Sequence, residues 1–178
     1  RKSAESESHR GLGDIIGVAM LAAALLLLVA QWSFDRYDLA INRTPPNKPA
    51  HNWVGPIGAQ LAYSSFFLLG ASAYALPFVL GLLGLACWFD GLKYLRRRWP
   101  WLLVFFLASM GLLHLVDSSA LFARLRFNLS APSAGGFLGY LSYEYFFWMV
   151  GSAGAAILYG ALYLISLLFL TNFQLGEW

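Results

Sequence analysis

The sequence predicts an all-α polytopic membrane protein. Its four transmembrane helices form a parallel repeat of two-helix units, with interfacial helical segments before the second and fourth crossings. Three observations predict this. Charged residues make up 12% of the 178 residues, half of the roughly 25% usual in a soluble globular chain, and mean hydropathy is +0.60. Four windows lack any Asp, Glu, Lys or Arg: Ile15–Phe34 (20 residues), Trp53–Phe89 (37), Trp99–Val116 (18) and Tyr145–Gly176 (32). Finally, an 81-residue shift brings the two halves of the chain into register.

Each element follows from those windows. A bilayer-crossing helix needs about 20 apolar residues, so the first and third windows each hold one crossing, at about 15–34 and 99–116. The second window is too long for one crossing and too short for two with a turn. Its crossing is placed at about 68–89, after a surface segment over 52–67. By the same reasoning the fourth crossing is at about 149–170, after an interfacial piece over 135–148. That piece holds Tyr140, Tyr143, Tyr145, Phe146, Phe147 and Trp148, rings that favour the headgroup level. The outer loops, 35–52 and 117–134, are rich in Asn, Ser and Pro, and Thr44-Pro45-Pro46 and Ala131-Pro132-Ser133 break any helix there. Pro77 is expected to kink the second crossing, whereas Pro100 sits at the start of the third, where a missing N–H costs little.

Orientation follows from the cations flanking the crossings. Arg1, Lys2 and Arg10 in the N-terminal tail (1–14) and Lys93, Arg96, Arg97 and Arg98 in the middle loop lie on one side. Arg36, Arg43, Lys48, Arg124 and Arg126 lie on the other. The dense Arg96–Arg98 cluster abuts a crossing and weighs most, so both termini are read as cytoplasmic, with 172–178 starting a cytoplasmic linker. The first residue is Arg1 rather than Met, and the chain is read as part of a longer polypeptide without a cleaved signal peptide.

In the repeat, Gly55-x-x-Gly58 falls on Gly136-x-x-Gly139, Phe66-Phe67 on Phe147-Trp148, and Gly70 on Gly151. An offset of two crossings preserves orientation, which makes the repeat parallel. Small residues at Gly70–Ala73, Gly81-x-x-Gly84 and Gly151–Ala156 allow close backbone approach. Whether they serve a subunit interface or the bundle itself stays open at this level.

Little chemistry is encoded. The only lysines, Lys2, Lys48 and Lys93, follow Arg1, Asn47 and Leu92, so there is no Gly-Lys-Ser/Thr phosphate loop. Only His114 lies in a crossing, which excludes a bis-His haem within one chain. Cys87 is the one cysteine and reads as a packing residue. His114 and Asp117, three apart, suit a hydrogen-bonded pair at a helix end. Glu144 is the one carboxylate near the membrane outside the loops and is read at the outer surface. No catalytic, cofactor or metal-binding constellation is predicted.

The stretch Asn52-Trp53-Val54-Gly55-Pro56-Ile57-Gly58-Ala59-Gln60-Leu61-Ala62, followed by Phe66-Phe67-x-x-Gly70 and Ala73-Tyr74-Ala75-Leu76-Pro77, resembles the four-helix N-terminal membrane domain of FtsK/SpoIIIE-type DNA translocases. Gly11-Leu12, Ser33-Phe34-Asp35-x-x-Asp38 and Ser133-Ala134-Gly135-Gly136-x-x-Gly139 are similar to that family too, so the resemblance runs from about Gly11 to Thr171. On this resemblance the motif and helix-packing residues are Asn52, Gly55, Gly58, Ala59, Gly70, Pro77, Gly135, Gly136, Gly139 and Gly151. The resemblance implies a bacterial inner-membrane anchor enriched at the division septum, a hexameric homo-oligomer, and contacts with other cell-division membrane proteins. It also implies a C-terminal motor that uses ATP and Mg²⁺ and alone touches chromosomal DNA. The competing readings are a four-span subunit of a transport or redox complex, and a stand-alone membrane assembly protein.

Overall fold

The computed structural model describes the backbone of residues 2–171 and the side chains of residues 13–171 except Asp90. The expected linker at 172–178, and the side chains of Lys2 and Arg10, lie outside the described residues. Regular structure among those described is helical throughout: α1 (Lys2–Trp32), α2 (Gly55–Leu69), α3 (Leu76–Leu85), α4 (Lys93–Arg97), α5 (Trp99–Leu115), α6 (Ala120–Leu129), α7 (Gly136–Ser142) and α8 (Gly151–Thr171). A 3₁₀ segment, Gly70–Ala75, joins α2 to α3, and a π turn (Tyr143–Phe147) followed by a 3₁₀ turn (Trp148–Val150) joins α7 to α8. Three helical stretches are long and apolar enough to cross a membrane: Gly13–Trp32, Gly55–Leu85 and Gly136–Thr171. Trp99–Leu115 is apolar and shorter, at 17 residues.

Two of these stretches are bent, and hydrogen bonds show how. Asn52 Nδ2 donates to the Ala30 carbonyl at 2.8 Å, before α2 begins. Gln31 Nε2 donates to the Ala73 carbonyl at 3.1 Å, after α2 has ended, and to Ser65 Oγ at 3.0 Å. Both ends of α2 are therefore tied to one turn of α1. A helix of 15 residues is about 22 Å long and cannot run down α1 with both ends at one level. It lies across the end of α1.

From Gly70 the chain turns back, and α3 runs antiparallel to α1. Gly81 faces Ala24, Gly84 faces Gly17 and Leu21, and Trp88 Nε1 donates to Asp14 Oδ1 at 3.1 Å. Cys87 packs against Gly17 as a half-buried neighbour. The second half is built alike. Trp101 stacks on Phe169 (4.1 Å), Phe105 meets Tyr163 (5.2 Å), and Tyr159 fills the space opposite Gly111, so α5 and α8 are antiparallel. Arg98 donates to the Phe169 carbonyl and closes that end.

Proline placement explains where the helices start. Pro56, Pro77 and Pro100 each stand in the first turn of α2, α3 and α5, where the N–H they lack has no intrahelical partner. Pro77 thus opens α3 rather than kinking a continuous helix, and the break falls upstream at Gly70.

Two cores result. Phe66 is fully buried with Ala30, Ala62, Ala73 and Leu129, and its ring meets Phe34 at 5.3 Å and Tyr74 at 5.0 Å. In the second half Tyr159 is fully buried, 4.4 Å from the Phe147 ring, with its hydroxyl 2.8 Å from Ser142 Oγ. Tyr159→Phe removes that bond and should lower stability by about 1 kcal/mol. Thermal unfolding of the purified chain checks this; an unchanged midpoint shows that the Ser142 hydroxyl contributes nothing net.

The segment between α5 and α7 contains a helix that the sequence reading does not anticipate. α6 ends at Ser130, which has left-handed φ of 52°, two residues before Pro132. Its Leu125 and Leu129 pack onto the Phe66 cluster of the first half. Arg36 Nη1 reaches across to the Phe127 carbonyl at 2.5 Å, with its guanidinium 3.9 Å from the Phe127 ring centroid. Asp117 pairs with Arg126 at 2.6 Å and accepts the Ala134 amide at 2.7 Å. These bonds, rather than the expected pairing with His114, occupy its carboxylate. His114 lies against Tyr140 and Tyr143 instead.

Candidate functional site: the glycine cross-over and the capped loop

Among the described residues four glycines carry positive φ: Gly55 (73°), Gly70 (60°), Gly136 (71°) and Gly151 (72°). They are two pairs separated by 81 residues. Gly55 and Gly136 open α2 and α7, and each amide closes a turn onto the third residue back, Gly55 onto the Asn52 carbonyl (2.8 Å) and Gly136 onto the Ser133 carbonyl (2.9 Å). Gly70 follows α2 and Gly151 follows the turns after α7, each where the chain enters the returning segment. The same backbone turn occurs twice at the same offset.

Where the halves meet, two of these glycines touch. A methyl group on Gly70 would collide with the Ala134 carbonyl and the Gly136 amide, and one on Gly136 would collide with the Gly70 amide and the Leu68 carbonyl. The Ala71 amide donates to the Ala134 carbonyl at 2.8 Å across this junction. Phe67 and Phe137 stack beside it, with centroids 5.8 Å apart. Gly135 and Gly139 sit on the Met110 carbonyl of α5 with no room for a side chain. Gly58 leaves space for the Asn52 side chain, whose Oδ1 accepts the Val54 amide at 3.0 Å, and Ala59 is fully buried on the same face.

The loop between α1 and α2 is organised by carboxylates. Asp38 is buried, and its oxygens accept the His51 amide (2.9 Å), Asn47 Nδ2 (2.9 Å) and the Asn52 amide (2.8 Å). Burial by itself raises its pKa; the hydrogen bonds from His51, Asn47 and Asn52, with the His51 charge, outweigh that and hold the carboxyl below the usual value of 3.8. Asp35 accepts the Tyr37 amide at 2.9 Å and meets His51 Nδ1 at 2.8 Å. The ligand-type atoms of Asp35, Asp38 and His51 lie within 4.8 Å of one another. Every one of those carboxylate oxygens nevertheless already faces a nitrogen within hydrogen-bonding distance. The donors turn partial positive charge toward the space a cation would take. The cluster fits a loop cap better than a metal centre.

The family described as the 4TM region of DNA translocase FtsK/SpoIIIE matches residues 9–178. The chain belongs to that family. A DNA translocase FtsK of Rickettsia prowazekii (strain Madrid E) is 25% identical over 122 residues, which cover 68% of this chain and 15% of the relative. The chain thus spans under a sixth of the length of that curated relative. No solved structure matches it.

Within this FtsK/SpoIIIE 4TM chain the motif residues fall into two groups. Asn52, Gly58, Ala59, Gly70, Gly135, Gly136 and Gly139 come together around α2, α7 and the ends of α1 and α5. Pro77 is buried at the start of α3, while Gly55 and Gly151 stand in open space on opposite halves of the cross-over. Sequence reasoning missed Asp38, Asn47 and His51 as a cage. Its signal was present in Ser33-Phe34-Asp35-x-x-Asp38, whose Ser33 Oγ accepts the Trp53 amide at 3.0 Å and so draws the loop's far end to the helix terminus.

Proposed function

We propose that this chain is the membrane-anchoring and oligomerising domain of a septal, ATP-driven DNA translocase acting in cell division and chromosome segregation. The single observation that carries the proposal is the match of residues 9–178 to the translocase 4TM region. The motor, with its ATP, Mg²⁺ and DNA contacts, lies C-terminal in this reading, since the lysines here follow Arg1, Asn47 and Leu92. The chain crosses the bilayer four times, through α1, the 3₁₀–α3 arm, α5 and α8, as two parallel units. α2 and α7 lie at the outer face. The antiparallel pairs α1/α3 and α5/α8 support this reading, and so does the cross-lying of α2 described above. Both termini are then cytoplasmic, where a motor has access to the chromosome, and helix faces and outer loops are left for other division proteins.

A fluorescent fusion at the C-terminus of the full translocase tests the anchor. The expected result is a band at the septum that becomes cytoplasmic when residues 1–178 are deleted, and is kept when only the motor is deleted. Uniform membrane labelling of the motor-less chain overturns the septal role.

A further inference from the structure

The junction between the two halves is head-to-tail: the returning turn of the first unit, at Gly70, docks on the opening turn of the second, at Gly136. Repeating the geometry leaves one of each surface unused. The returning turn of the second unit is at Gly151, and the opening turn of the first is at Gly55. Both keep the positive φ of their partners, 72° and 73°, and a methyl on either would meet nothing within 4 Å. Exposure follows the same logic. Ala134, under the junction, is 1% exposed, and Trp53, 81 residues earlier, is 76% exposed. Ser72 is 9% exposed, whereas its counterpart Ala153 is exposed. Around the two open turns stand Ile57, Trp148 and Met149, all exposed and apolar.

We propose that these two open surfaces bind each other in neighbouring copies of the chain, reproducing between molecules the contact seen within one. The Ser152 amide then donates to the Trp53 carbonyl of the next copy, as Ala71 does to Ala134. Trp148 lies beside Pro56, as Phe67 lies on Phe137. Ser152 is the second residue of α8, so its amide has no carbonyl within its own helix to reach. Both faces are on every chain and differ from each other, so the contact is heterologous, and each copy supplies two quasi-equivalent units to the assembly it builds. Lipid association through small residues supplies the close packing that such a contact needs. This deepens the oligomerisation proposed above and rests on it.

The test is cysteine cross-linking of the full chain in bilayer nanodiscs, in a Cys87→Ser background. Oxidation of Trp53→Cys/Ser152→Cys should give a ladder of covalent multimers. The intrachain equivalent, Ala71→Cys/Ala134→Cys, should close within single chains and give none. Ser152→Trp, at an exposed position, should leave helicity and melting unchanged while raising the monomer fraction about tenfold or more, as loss of about 1.4 kcal/mol of association requires. Mass measurement separates the possible failures. A multimer that neither forms the 53–152 cross-link nor responds to Ser152→Trp overturns the head-to-tail contact and leaves oligomerisation standing. A wild-type chain that is monomeric by mass, its open turns facing lipid, overturns both.

Discussion

Gly70→Ala should be the most damaging single-methyl change in the chain. Two penalties coincide there. The backbone at φ 60°, ψ −141° lies in a region kept almost entirely for glycine, which costs a side chain of order 1–3 kcal/mol. The added methyl also strikes the Ala134 carbonyl and the Gly136 amide, backbone atoms that move only if α7 moves, and overpacking of this kind costs typically about 1–3 kcal/mol more. Gly151→Ala has the first penalty without the second within one chain, because nothing lies within 4 Å of its methyl. Thermal unfolding in detergent should therefore show a clearly larger loss for Gly70→Ala than for Gly151→Ala. Equal losses would show that the close approach of the two halves adds nothing beyond backbone conformation.

Asp38→Ala should release the loop between α1 and α2. It strips the acceptor from the His51 and Asn52 amides and from the Asn47 side chain at once. A hydrogen bond to a charged group is worth about 1.5–3 kcal/mol, and orphaned donors add to the cost, so the loss should be at least of that size. Amide exchange across residues 39–52 should accelerate, and that across α8 should not. Acid gives a second reading of the same group. The folded pKa is depressed, so the native state favours the ionised form. Its stabilisation is complete above the unfolded value near 3.8 and is lost as pH falls below it, through the folded pKa. Wild-type stability should carry a component that declines below pH 3.8 and is absent from Asp38→Asn. An Asp38→Asn curve parallel to wild type there would exclude the cage as its origin.

How much of this could be read in advance depends on the range of the forces involved. Charge-free windows report directly on solvent, so the apolar helices follow from local composition. The matched turns at Gly55/Gly136 and Gly70/Gly151 are local too: glycine is the residue that adopts positive φ most readily, and the 81-residue offset repeats it. The Asp38 cage was not legible in the same way. It forms only because the Ser33 hydroxyl and the Asn52 side chain bring residues on both sides of the loop to the end of α1, and nothing periodic announces such closure. α6 was hidden behind Pro132, whose breaking effect ends a helix but says nothing about the ten residues before it. Pro77 was misplaced for a related reason. The same residue kinks a helix or starts one, and only the position of the preceding break decides which.

The seating of Leu125 and Leu129 on the Phe66 cluster has a consequence for how the chain is made. When α1, α2 and α3 have left the ribosome, the core they share still lacks two of its leucines. The missing pieces arrive only after α5 and α6 have been synthesised. The first unit thus leaves the ribosome with a gap in its packing, and the second unit fills it on arrival. For all its internal symmetry, the chain matures as one cooperative body, and half of it is not a smaller version of the whole.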